Sequence, residues 1–268
     1  MRKYWHVINI GLQNTLVYRI NFFFRSTFGL IPLTATIYLW KAVYASKESA
    51  EGIAGYTFAA MVSYYLLVTL VDMLTAVNED DWQIAADIRD GNINQFLLKP
   101  IDYFSYRLCL FVAGRLIYTV VALIPVGLFI LMQRQYFVWP VDSSMFGVFL
   151  LATILTGLLQ FFMSFTMALL AFWVLEVSTF IFILFALEYI AGGHLFPMDI
   201  LPPALAQVLA FTPFPYQLFF PVSVYLGRTS GAALWQGIMM QIFWVAAFYV
   251  LARVVWNAGI KKYTAVGG

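Results

Sequence analysis

Charge is the scarcest property of this chain. Asp, Glu, Lys and Arg make up 10% of its 268 residues, against roughly 25% in soluble domains, so a water-exposed globule is excluded. A single cysteine, Cys109, rules out an intramolecular disulfide framework. The two histidines, His6 and His194, are far apart in sequence and give no metal-ligand spacing. No G-x-x-x-x-G-K-[ST] stretch is present, so the chain has no phosphate-cradling loop of its own. There is equally no G-x-S-x-G elbow and no Ser/His/Asp spacing for nucleophilic catalysis. The net charge of +2 comes from basic residues spread along the chain, which argues against nucleic acid as a partner. The first apolar run is broken by Asn9, Gln13, Asn14, Arg19 and Asn21, unlike a cleaved signal peptide, so the first true span is expected to act as the insertion signal.

What the chain has in abundance is apolar surface: 63% hydrophobic residues, 19% aromatic, and a mean hydropathy of +0.84. The expected class is an all-α integral membrane protein, a single transmembrane domain over residues 1–268 with six spans. Residues 1–20 place Trp5, Ile8, Leu12 and Leu16 at helical spacing, with His6, Asn9 and Gln13 on another side. That pattern predicts a helix lying in the interface plane, or else the polar start of the first span. Spans are expected at about Phe22–Tyr44, Tyr56–Val77, Tyr106–Met132, Met145–Trp173, Ser178–Ile190 and Leu234–Trp256. A tight polar link, Ser46–Gly55, joins the first two. Pro32 and Pro125 fall inside spans, the latter at an expected kink. Gly227 and Gly231 match G-x-x-x-G, but Arg228, Thr229 and Ser230 between them read as a polar turn.

Two stretches depart from this texture. Residues 78–100, NEDDWQIAADIRDGNINQFLLKP, form the one long polar island. Asn78 can cap a helix start, Glu79, Asp80 and Asp81 suit the positive end of its dipole, and Gly91 suits its stop. A short amphipathic helix follows, read either as part of a solvated loop or as a docking element for a soluble partner. In residues 191–226, Pro197, Pro202, Pro203, Pro213, Pro215 and Pro221 place six of the ten prolines within 25 residues. This pattern predicts a broken, half-inserted segment, with a short helix over Pro202–Phe211 that dips into the outer leaflet and has Pro202 or Pro203 in its first turn.

Orientation follows from the basic residues. With the N-terminus inside, one side holds Arg2, Lys3, Arg19, Arg25, Arg89, Lys99, Arg107, Arg115, Arg253, Lys261 and Lys262, eleven in all; the other holds Lys41, Lys47, Arg134 and Arg228. Both termini and the polar island are therefore expected to be cytoplasmic and the proline-rich segment external, so that outside labelling reaches Ser49 and Asp142 but not Asp90 or Thr264. Asp72, Glu176, Glu188 and Arg115 are charges at or near the spans, and such charges usually have a structural or functional reason. Hydrated or paired interface roles suit them, and a proton relay through the carboxylates is the alternative.

The order of these features resembles the ABC-2 type permease family. Ile88-Arg89-Asp90-Gly91 followed by Phe96-Leu97-Leu98-Lys99-Pro100 is similar to the loop pattern of the branch with paired permease subunits and a separate ATPase. Gly193-His194-Leu195-Phe196-Pro197, then Leu201-Pro202, Pro213-Phe214 and Pro221, is similar to that branch's external segment. The resemblance implies a transport subunit of an exporter in the prokaryotic cytoplasmic membrane and not an enzyme. The subunit would bind no cofactor, while ATP and Mg sit on a cytoplasmic ABC ATPase dimer. It also implies a second permease, homologous or identical, and lipid as surroundings. The island helix is then the ATPase-coupling element, through Trp82, Ala85, Asp87, Ile88, Arg89, Asp90 and Gly91, with Asp87 and Asp90 meeting basic residues of the partner. Glu188, His194, Pro202 and Pro203 become candidates for the translocation path or its lid. A proton-coupled secondary transporter is the alternative reading, and an intramembrane enzyme or scaffold is a more distant one.

Overall fold

The computed structural model describes residues 2–46, 52–77, 80–140 and 143–263. The proposed cap Asn78, the dipole charge Glu79, residues 47–51 of the Ser46–Gly55 link, and the labelling positions Ser49, Asp142 and Thr264 lie outside the described residues. The chain forms helices α1 (Arg2–Leu16), α2 (Arg19–Ala45), α3 (Phe58–Thr75), α4 (Asp80–Arg89), α5 (Asn94–Leu97), α6 (Tyr103–Met132), α7 (Ser143–Ala168), α8 (Ser178–Ala191), α9 (Pro203–Ala210), α10 (Phe219–Tyr225) and α11 (Gly231–Lys262). Among the described residues there is no strand longer than an isolated bridge, Ile53 to Tyr56.

Five of these elements are long and apolar enough to cross a membrane: α2, α3, α6, α7 with its 3-10 extension to Phe172, and α11. They match the expected spans to within a few residues. The expected fifth span differs. α8 has 14 residues, about 21 Å of helix against a hydrocarbon core of about 30 Å. The reason lies at its C-terminal end. Gly193 takes φ +100°, and a Cβ there would sit 2.5 Å from the Tyr64 hydroxyl, so a side chain is excluded by both conformation and space. The Tyr64 hydroxyl donates to Gly193 O at 2.6 Å, the Tyr65 hydroxyl to Leu195 O at 2.6 Å, and Phe219 N to Gly192 O at 3.0 Å. These bonds pin a chain reversal beside the first half of α3.

The core is built on α3 and α7. Residues 61–68 of α3 are buried without a break. α11 packs along α7, where the fully buried Gln241 donates from Nε2 to Ala152 O and Tyr216 O, both at 2.9 Å. Two apolar clusters result. One surrounds Tyr64, Phe149 and Phe220, and the other joins Ile84 and Ile88 of α4 to Phe104, Phe161 and Phe165.

α1 and α2 run alongside α6 in the same direction. Lys3 Nζ donates to Pro100 O at 2.6 Å, Gly11 packs on Leu110 and Ala113, and the Phe22 ring lies 5.4 Å from that of Tyr118. The face of α1 turned inward is Val7 and Gly11. Trp5 and Leu16, from the predicted apolar stripe, remain exposed at 69% and 42%. The proline-rich stretch is broken as its composition predicts, into a 3-10 turn, α9, a second 3-10 turn and α10. Pro203 opens α9, but no residue of that helix is buried. The piece inserted into the core is α10, buried throughout Phe220–Tyr225 against α7 and α3.

Candidate functional site

α4 is held by one face. Ile84, Ala85 and Ile88 fall on one stripe of a 3.6-residue period and are buried among Phe161, Phe165 and Leu169. Asp87 bonds inward too: the Tyr103 hydroxyl donates to its Oδ2 at 2.7 Å, and Arg107 Nη2 forms a close ion pair with the same oxygen. Arg107 also donates from Nε to the Tyr103 hydroxyl at 2.9 Å and from Nη1 to Gln83 Oε1 at 3.2 Å. Gly91, at φ +78°, stops the helix as its position predicts. Of the residues expected to meet a partner, Ala85, Asp87 and Ile88 are therefore occupied by the chain itself. Trp82, Arg89 and Asp90 face outward, and Arg89 and Asp90 pair with each other at 3.2 Å while about half-exposed.

The α7–α8 link lies beside this surface. A cleft of about 40 Å³ there is lined by Trp82, Arg89, Leu175 and Glu176. Glu176 accepts from Ser178 N and from the Ser178 hydroxyl, and these bonds, ahead of any other influence, hold its carboxyl below the usual glutamate range. It tethers the start of α8. Arg115 of α6 lies over the Tyr118 ring at 5.0 Å, a packing role.

Above α4, a cavity of about 300 Å³ opens between α3, α7 and α8. Its floor includes Asp81 and Trp82, so α4 contributes to this cavity and to the outer surface at once. Asp72 Oδ1 pairs with His194 Nε2 at 3.3 Å, and the His194 ring stacks on Tyr189 with centroids 5.0 Å apart. Glu188 Oε1 accepts from Gln217 Nε2 at 2.9 Å. Gln160 and Ser164 of α7 complete the polar wall, and Ile181, Phe182 and Phe185 of α8 the apolar one. Three buried polar atoms at this cavity have no protein partner: Gln160 Oε1, Gln217 Oε1 and His194 Nδ1.

Glu188 and His194, singled out from sequence, do meet here, and Asp72 joins them across 122 residues. Pro202 and Pro203 do not. Both are exposed, and Pro203 lines a separate, largely apolar cavity of about 500 Å³ with Phe211, Phe219 and Met240. Gln160 and Gln217 escaped the sequence reading. The available signal was a lone amide inside the apolar run Leu158–Phe162, since an amide at bilayer depth needs a partner. Half-buried carboxyl groups between membrane helices are poor contributors to stability, because desolvation takes several kcal/mol per ion. Their gathering in one cavity points to use on something that enters it. Among the described residues, no group of three or more His, Cys, Asp and Glu is placed to hold a metal ion.

No curated protein sequence matches the chain significantly. A family model described as "ABC-2 family transporter protein" matches residues 30–267, nearly the whole chain from within α2 onward. With five apolar helices of crossing length among its described residues, this multi-pass membrane protein belongs to the ABC-2 transporter family.

Proposed function

We propose that the chain is the permease subunit of an ATP-binding-cassette exporter, driven by a separate cytoplasmic ABC ATPase dimer that carries the ATP and Mg, and paired with a second permease. One observation carries the reading. α4 has one face locked into the bundle, forms part of the cavity floor through Asp81 and Trp82, and offers Trp82, Arg89 and Asp90 to a partner. A push on the exposed face is thereby transmitted to the cavity through a single rigid turn of helix. The docking surface extends to Leu98 and Leu175, exposed at 88% and 84% on loops beside α4 and α8.

α8 touches the rest of the chain chiefly through Ile181, Leu184 and Ala191, leaving Phe182 and Phe185 open beside the cavity. A second permease seated there completes the cavity wall. Six crossings arise if α8 and the broken segment after it together make the fifth. Both termini and α4 then face the cytoplasm, in keeping with the eleven-to-four distribution of basic residues. The prokaryotic cytoplasmic membrane is the setting this arrangement fits.

A proton-coupled carrier has one observation in its favour, the meeting of Asp72, Glu188 and His194 in one cavity. Two measurements separate the readings. ATPase that copurifies with the chain, and is lost on Arg89→Glu while the protein stays inserted and monodisperse, supports the exporter. Transport that persists without ATP and follows a proton gradient rejects it. For topology, cysteine labelling from outside should reach Ala204 and miss Asp90 in a chain whose Cys109 has been replaced; labelling at Asp90 overturns the arrangement.

A further inference from the structure

We infer that the cavity between α3, α7 and α8 is a binding site for a protonated amine carrying an apolar or aromatic body, and that such organic cations are the transported class. This rests on the transport reading for its second half only. Three carboxylates and two amides line the cavity, together with Arg25, which is engaged with a neighbour of its own. Glu188 is half-buried and receives one hydrogen bond, from the neutral amide of Gln217. Among the described residues no cationic nitrogen forms an ion pair with it. Asp72 shares its charge with His194, and Asp81 and Arg25 are engaged with neighbours of their own.

Independent of the carboxylates, Gln160 is 7% exposed, lines the cavity, and has an amide oxygen with no partner. Gln217, fully buried, spends its NH₂ on Glu188 and leaves its carbonyl unpartnered as well. A carboxylate with two unsatisfied carbonyls calls for a charged group that only donates. An ammonium has three donors and no acceptor, so its chemistry matches a cluster of carboxylate and carbonyl acceptors. A carboxylate or phosphate ligand would meet Glu188 and leave the carbonyls unpaired. Phe182 and Phe185 precede Glu188 on the same helix and line the cavity with Trp82, which suits an aromatic body and adds attraction between ring faces and the cation. About 300 Å³ is at the small end of ligand sites, so the fitting molecules have one or two rings.

The test uses the full chain, with the ATPase that copurifies with it, in lipid nanodiscs. Radiolabelled 4-phenylbutylamine is the probe, and 4-phenylbutanol and 4-phenylbutanoate, with the same skeleton, are the competitors. Saturable amine binding is expected, with the alcohol and the acid each competing about ten-fold or more weakly than unlabelled amine. Glu188→Gln should weaken amine binding about ten-fold or more, by removing the opposing charge. Gln160→Lys, which supplies an internal ammonium, should abolish it. Both variants are checked for monodisperse elution, and the competitor series on the unaltered protein stands if either fails to fold. Absence of saturable amine binding overturns the inference, as does equal displacement by the alcohol or acid, or unchanged binding in both variants. If amine binds with this selectivity but neither requires nor stimulates ATP hydrolysis, the site stands and the exporter reading fails. If hydrolysis is stimulated by other compounds and the amine does not bind, the reverse holds.

Discussion

Each end of the molecule is fastened by an Arg–Asp–Tyr trio, and the two trios are built differently. At the α4 end, Arg107, Asp87 and Tyr103 bond to one another, with the arginine and aspartate side chains 7% and 18% exposed. At the proline-rich end, Arg228 Nε and the Tyr56 hydroxyl both donate to Asp199 Oδ2 at 2.9 Å, and the guanidinium lies 3.8 Å from the centre of the Tyr56 ring. Arg228 and Asp199 are 27% and 34% exposed. Burial, with the Asp199 carboxylate next in effect, raises the Tyr56 hydroxyl far above the usual tyrosine range, so it remains a donor at all accessible pH. The same chemistry thus makes a dry rivet at one end and a wetter clasp at the other. The wet one can open without leaving a charge stranded in an apolar site.

Breaking the dry trio should have the largest effect. Arg107→Ala leaves Asp87 buried without its cation, a loss of about 3–5 kcal/mol. A drop in thermal midpoint in detergent and release of copurified ATPase would register it. Ile88→Asp is expected to be nearly as severe, at about 3 kcal/mol or more, because position 88 is 3% exposed. Its neighbour Arg89→Glu should leave the thermal midpoint within about 1 °C of wild type, since exposed charge changes are worth about 0.5 kcal/mol or less. If Ile88→Asp kept the fold and lost only the ATPase, α4 would be free of the bundle and the rivet a misreading.

The clasp at the proline-rich end sharpens the contrast. Arg228→Lys keeps the charge but loses the fork that serves Asp199 together with the carbonyls of Ala54 and Gly55. About 1 kcal/mol is expected, visible as a small fall in midpoint and faster outside labelling at Ala204. The smallest effect concerns Asp102, which accepts from Arg253 Nη1 at 2.7 Å and from Ser105 N at 3.0 Å. Partial burial raises its pKa, but the bonds to Arg253 and Ser105 outweigh it and leave the group below the usual aspartate range. Its stabilisation is therefore complete above the unfolded value, near 3.9, and is lost as pH falls through the lower folded value. Asp102→Asn should be less stable than wild type at pH 7, with the difference closing only below about pH 4.

The sequence made the long elements legible. An apolar run of twenty or more residues has few other fates, and Gly91 and the clustered prolines mark stops that backbone geometry enforces. What it hid were choices of face and pairs distant in the chain. Ile84, Ala85 and Ile88 share a stripe at any helical spacing, but whether that stripe meets a partner or the chain's own Phe165 and Leu169 depends on where α7 ends. Gln217 meets Glu188 across 29 residues and His194 meets Asp72 across 122, and no periodicity encodes either. α9 and α10 are both short and apolar, and their composition does not say which packs into the core. Only the groove offered by α3 and α7 decides which is swallowed.

The clasp at Tyr56 also fixes an order of events during biogenesis. Arg228 donates to the carbonyls of Gly55 and Ala54 across 173 and 174 residues. At about 5–20 residues per second of translation, the α2–α3 turn waits roughly 10–35 s for the arginine to be made. By the end of that interval α3, α6 and α7 have been made while the α2–α3 turn is still untied. Closure of the clasp reports that the chain has been made through Arg228, just ahead of its last helix. A quality-control protease that samples the loop before α3 would therefore find it untied in chains truncated or stalled before Arg228 and tied down in those that have passed it.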